Sequence, residues 1–243
     1  MAQGGGGMNL FAEAIAYLLD LANWTGGSGL GLRVLEHLAF SGGVLLVAAA
    51  IGVPAGVLIG HTGRGRGLVI ALTSGARSVP TLGLLTIFGL LLGIGLEAPF
   101  LALVVLALPP VLAGAYAGVE AVDRQVVGGA RAIGMTERQI LAGVELPLAS
   151  PVLIGGLRSA ALQVISTATL AAYVSDTGLG RPIFQGLKTR DYDIMLAGSI
   201  LVALLALVVE LLFQAAQSAA ARRAEPSDTP RSARARDPER IHA

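Results

Sequence analysis

LAFSGGVLLVAAAIGVPAGVLIG, residues 38–60, runs for 23 positions without a charged side chain. A helix needs roughly 20 mostly apolar residues to cross the hydrocarbon of a bilayer, so this stretch reads as a membrane span. Outward from it the charges leave four more gaps: 78–96, 98–119, 146–175 broken only by Arg158, and 194–209, which 211–221 extends beyond Glu210. Five core transmembrane helices are therefore predicted. The stretch 8–22 has 15 residues and contains Glu13 and Asp20, which fits an interfacial amphipathic helix better than a sixth span.

Composition agrees. Of 243 residues, 54% are hydrophobic and 14% charged, with a mean hydropathy of +0.73. A soluble domain carries about a quarter charged residues, so an all-α integral membrane protein is expected. The net charge of +1 averages a neutral body with an Arg-rich tail. Three regions follow: an N-terminal segment (1–33), a transmembrane domain (34–214) with a long inner loop (120–149), and a disordered cytoplasmic tail (215–243). The start is Gly-rich without the basic region of a cleavable signal, and either Met1 or Met8 can serve as initiator.

Arginines in short loops set the orientation. Arg64 and Arg66, then Arg124, Arg131 and Arg138, then the tail from Arg222 onward share one side, which should be cytoplasmic; Arg33, Arg181, Lys188 and Arg190 fall opposite. This places the N-terminus outside and the C-terminus inside. Glycines four apart (Gly52/Gly56/Gly60, Gly89/Gly93, Gly114/Gly118) mark either close helix packing or chance spacing among 33 glycines.

Several chemistries are excluded. With no cysteine there is no disulfide, thiolate metal site or cysteine nucleophile. His37, His61 and His242 lack metal-ligand spacing. Lys188-Thr189 follows no phosphate-cradling glycine loop, so this chain does not carry such an ATP site. Gly63-Arg64-Gly65-Arg66-Gly67 is a turn between helices. Catalytic residues, metal, cofactor and nucleic acid are not expected. Aromatic residues make up only 5%, with Trp24 alone of its kind, so an aromatic cage for a quaternary ammonium ligand would have to sit in a partner.

The inner loop has the most legible local structure. Asp123 suits the N-cap of a helix through Ile133, and Gly134 suits its left-handed end. Thr136 and Gln139 match a capping box opening a second short helix, which Glu145-Leu146-Pro147 should stop before the next span. Gly128-Gly129-Ala130, three residues, Gly134, nine residues, then Val144-Glu145-Leu146-Pro147 resembles the EAA loop of ABC-importer permeases. Ala130, Gly134, Leu146 and Pro147 match; Val144 stands for isoleucine, while Gly128 and Gly129 replace the glutamate and first alanine. Pro80-Thr81-Leu82, Pro109-Pro110, Gly134-Met135-Thr136, the 144–149 stretch, the 167–172 stretch and Thr177-Gly178-Leu179-Gly180 resemble the osmoprotectant branch, which imports glycine betaine, carnitine, choline or proline-type solutes.

The resemblance implies a type I ABC-importer permease. It implies a second permease chain, same or sister, a cytoplasmic ABC ATPase dimer and an external solute-binding protein, all working in membrane lipid. Residues Gly128, Gly129, Ala130, Gly134, Met135, Thr136, Val144, Leu146 and Pro147 are then the ATPase-coupling loop. Pro80, Thr81, Ser166, Thr167 and Thr169 are candidates for the path, although the hydroxyls of the last three can equally bond back to their own helix. Arg77 is either a guard of the path or a surface residue beside a short interfacial helix. Arg158 either pairs helices, snorkels or meets solute, and Glu210 is expected to snorkel. The 176–180 stretch is an outer gate or a plain turn. An importer for an amino acid or another small polar solute, or a membrane anchor without transport, are the alternatives.

Overall fold

The computed structural model describes residues 6–76 and 78–224; Arg77 and the tail from 225 lie outside them, so the readings made for both are not addressed. Among the described residues, four helices are long and apolar enough to cross a membrane: α2 (Leu30–Thr62), α5 (Glu97–Glu120), the run Glu137–Tyr173, and α10 (Tyr192–Ala224). The run Glu137–Tyr173 is built from α7 (Glu137–Ile140), a π turn (Leu141–Glu145), α8 (Leu146–Ala168) and a 3-10 turn (Thr169–Tyr173). Shorter helices fill the rest: α1 (Gly6–Leu19), α3 (Arg66–Ala76), α4 (Thr81–Leu92), α6 (Arg124–Ala132) and α9 (Gly180–Thr189).

The second expected span differs from its prediction. In place of one helix over 78–96, α3 and α4 are separated by an interruption before Pro80. A residue preceding proline is pushed out of the helical region, so Val79 breaks the chain there. At the other end Gly93 has φ 87° and its N–H caps Gly89. Twelve residues span about 18 Å, less than the roughly 30 Å of hydrocarbon. Helix α10 reaches Ala224, ten positions past the boundary expected at 214.

Helix α5 is the centre. Val44, Ala48, Leu103, Ala107, Val111, Ala160 and Val164 form an apolar core where α2, α5 and α8 meet. Glycines set the separations. A methyl group on Gly56 would stand 2.6 Å from Leu112 O and 2.7 Å from Ala115 Cβ, and Gly52 and Gly60 meet Val111 and Val119 in the same way. On the other flank, a methyl group on Gly114 would stand 2.5 Å from Gly156 Cα, and one on Gly118 would stand 2.8 Å from Ala149 O. Both stripes are thus packing surfaces, whereas Gly89 and Gly93 have nothing within 4 Å. In lipid such backbone approach is a main source of helix association.

At one end α1 folds back beside α10. Trp24 Nε1 donates to Leu18 O at 2.7 Å, and Tyr17, Leu18 and Trp24 pack on Leu30, Leu179 and Leu201. Because Gly56 is bounded by backbone, Gly56→Val should cost about 3 kcal/mol by overpacking. Gly42, with open space around it, should accept alanine without loss. Melting of the detergent-solubilised variants checks both; an unshifted Gly56→Val would refute the close contact.

Candidate functional site

The 120–149 loop is built by its caps. Asp123 accepts from Gln125 N at 2.8 Å to start α6. The helix ends at Gly134, φ 88°, with Gly134 N–H to Arg131 O and Met135 N–H to Ala130 O, the paired bonds of a Schellman end. Thr136 and Gln139 then cap each other's backbone, the side-chain amide oxygen taking Thr136 N–H at 2.8 Å. Each of these features follows from residue types at fixed spacing.

Glu145-Leu146-Pro147 does not stop the second helix, and that expectation is corrected. The chain continues from α7 through the π turn into α8, with Leu146 N–H bonded to Leu141 O. Proline lacks an N–H and crowds the preceding turn; a π turn with its longer hydrogen-bond step accommodates this without ending the helix.

The loop has two faces. Val127, Ala130 and Ile140 are buried with Val57, Ala115, Val119 and Ala149, and Met135, Val144 and Leu146 pack against them. Thus Ala130, Met135, Val144 and Leu146 seat the loop on the spans. Gly128, Gly129, Gly134, Thr136 and Pro147 are exposed, and so are Val126 and Ile133, the latter 81% exposed. These two apolar side chains escaped the sequence reading, because nothing in α6 alone tells its inward from its outward face. Arg131 binds both oxygens of Glu137 at 2.7 and 2.9 Å, and that carboxylate raises the Arg131 pKa above its ordinary value.

The turn after α2 lies at this same end. His61 meets Glu145 and Glu137, and Arg66 meets Glu120 at 3.2 Å. At the opposite end α2 clasps the 176–179 turn. Arg33 Nη1 donates to Asp176 O at 2.6 Å, and Gly178 N–H donates to Glu36 at 3.0 Å. Leu179 N–H donates to His37 Nδ1, so His37 Nε2 carries the proton and donates to Ile165 O at 3.0 Å.

Between the ends, the hydroxyls of Ser166, Thr167 and Thr169 donate to Leu162 O, Gln163 O and Ser166 O of their own chain segment. No hydrogen bond among the described residues joins them to Pro80 or Thr81. A cavity of about 210 Å³ lies instead among Thr73, Leu106, Pro109, Pro110, Ser159 and Gln163. Pro110 has no N–H to offer Leu106 O four residues back; Gln163 Nε2 supplies the donor at 3.4 Å. Ser159, Gln163 and Ser166 are exposed along one side of α8, a spacing that was readable but overlooked. Arg158 pairs with Glu210 through both carboxylate oxygens and reaches Gln217, so Arg158 ties α8 to α10 and Glu210 does not snorkel. Among the described residues no three His, Asp or Glu side chains converge to hold a metal.

Known proteins with these features form one class. Residues 52–224 match the family described as binding-protein-dependent transport system inner membrane component. The chain belongs to that family and is an inner-membrane permease subunit of an importer, itself not catalytic. A carnitine transport permease of Listeria monocytogenes is 36% identical over 76% of this chain and 84% of its own. A choline transport system permease of Bacillus subtilis (strain 168) is 31% identical, covering 79% of this chain and 89% of its own. An osmoprotectant import permease of Salmonella typhimurium is 30% identical over 83% and 90% respectively. The inward-facing methionine ABC transporter MetNI aligns with a TM-score of 0.67 at 24% identity, over 79% of this chain and 95% of that one. Its likeness concerns the fold.

The left-handed Gly134 should resist substitution although open space surrounds it. Gly134→Val should cost about 1–2 kcal/mol through backbone strain, and Thr136→Ala about 1 kcal/mol through the lost cap. Amide exchange over 130–140 should rise in both; unchanged exchange in Gly134→Val would contradict the Schellman end.

Proposed function

We propose that this permease carries a compatible solute such as glycine betaine, choline or carnitine across the inner membrane. The observation that carries this reading is agreement between two independent features: the loop of capped helices, and relatives whose names specify carnitine, choline and osmoprotectant transport. An external binding protein delivers the solute, a second permease chain completes the path, and a separate ABC ATPase dimer supplies the work.

The ATPase seats on the exposed side of the 124–140 segment, against Val126, Gly128, Gly129, Ile133 and Gly134, while Ala130, Met135, Val144 and Leu146 hold that segment to the spans from beneath. Thr136 caps the start of α7, and Pro147 stands exposed in the first turn of α8. This side is cytoplasmic, and the 176–179 turn faces outside, with the N-terminus outside and the C-terminus inside. The path follows the polar side of α8, where Ser159, Gln163 and Ser166 are exposed, with Thr73 across the cavity; Thr167 at the end of α8 and Thr169 in the 3-10 turn shape it, and Pro80 and Thr81 at the start of α4 contribute to it. Hydroxyl and amide groups without charge suit a zwitterion or a quaternary cation that the binding protein has already selected.

Reconstitution in vesicles with the partner ATPase and binding protein tests the reading. Glycine betaine, choline or carnitine should stimulate both hydrolysis and uptake. Stimulation by an amino acid alone would replace the solute class, and no solute-dependent hydrolysis would leave a membrane anchor. Cysteines at Arg64 and Thr177 should label from opposite faces of the membrane; labelling of both from outside would overturn the topology.

A further inference from the structure

His61 lies in the last turn of α2 with its side chain 12% exposed, between two carboxylates. Its Nδ1 is 2.5 Å from Glu145 Oε2 and its Nε2 is 3.3 Å from Glu137 Oε2. Glu145 has no exposure at all, and its Oε1 meets no partner. A buried carboxylate is disfavoured unless it is paired, and the imidazole is the partner that Glu145 has. Glu145 closes the π turn, at the joint between α7 and α8. Glu137, the other partner, holds Arg131 and so reaches back into α6. Among the described residues, every hydrogen bond and ion pair from α2 to the 124–145 segment passes through His61.

The other end of the same helix grips the 176–179 turn through Arg33, Glu36 and His37. One continuous helix of 33 residues therefore has a polar grip at each end. We infer that His61 and Glu145 are positioning residues that pass movement of the α6–α7 segment to α2, which delivers it to the outer turn. This rests on the reading that the ATPase seats on 124–140. Spatial continuity alone does not establish such a route, and measured coupling does.

The test uses the complete importer in vesicles, with permease abundance matched, and compares His61→Gln, Glu145→Gln and the double variant. Solute taken up per ATP hydrolysed should fall about tenfold in each single variant while the ATPase stays bound. The double variant should be no worse than either single, as for two residues sharing one interaction. His61→Lys, which returns a hydrogen-bond donor beside Glu145, should recover part of the loss. If Glu145→Gln does not accumulate, His61→Gln and His61→Ala report on the same link from its partly exposed side. Unchanged uptake per ATP, multiplying losses in the double variant, or loss of ATPase binding in the single variants would each overturn the inference. A wild-type permease that binds no ATPase through 124–140 would overturn the docking reading and this one together. A bound wild type with indifferent variants overturns this one alone.

Discussion

Helix α5 is held between two helices by contacts in which backbone touches backbone: Gly52, Gly56 and Gly60 of α2 on one side, Gly114 against Gly156 of α8 on the other. In hydrocarbon no water is released when apolar helices meet, so shape complementarity has to supply the attraction. Everything functional is referred to this three-helix unit. The 120–149 loop is rooted in it through Val119, Ile140 and Ala149, and the 176–179 turn hangs from the far end of α2. The cavity beside Gln163 exists because α5 carries two adjacent prolines where it faces α8.

Polar groups inside the spans follow the same economy of partners. A bilayer offers no solvent to an unpaired backbone carbonyl, and Gln163 answers the one released by Pro110. Arg158 and Glu210 neutralise each other across α8 and α10. Neither charge is left to face lipid alone, while Ser159 and Ser166 are exposed on the side of α8 where solute passes under the proposed function.

Much of this was legible in the residues because it is local. Asp123, Gly134, Thr136 and Gln139 act within a few positions of themselves, and the caps form where the spacing puts them. Uncharged length located four of the five spans for the same reason. It misled over 78–96, where hydropathy continued through a conformational break at Pro80, and over Pro147, where a π turn absorbed what looked like a stop. The pairings of His61 with Glu145 and of Arg158 with Glu210 join residues 84 and 52 positions apart. No periodicity reports such a partner, so Glu210 read as a snorkelling residue. Of the path candidates, Ser166, Thr167 and Thr169 looked alike as hydroxyls, and only the helix phase separates exposed Ser166 from its neighbours.

The π turn at Leu141–Glu145 has a consequence for how such a subunit varies over time. An α-helix advances about 100° per residue, so a continuous α-helix from α7 into α8 would lock the azimuth of the α6–α7 segment to that of the membrane face. The wider turn inserts an angular offset between them. Under the proposed function, surface changes that suit a different ATPase can then accumulate in α6 and α7 without rotating Ser159 and Gln163 away from the cavity. Removal of one residue from 141–145 would turn one half against the other by about that same 100°, so this joint tolerates little change of length.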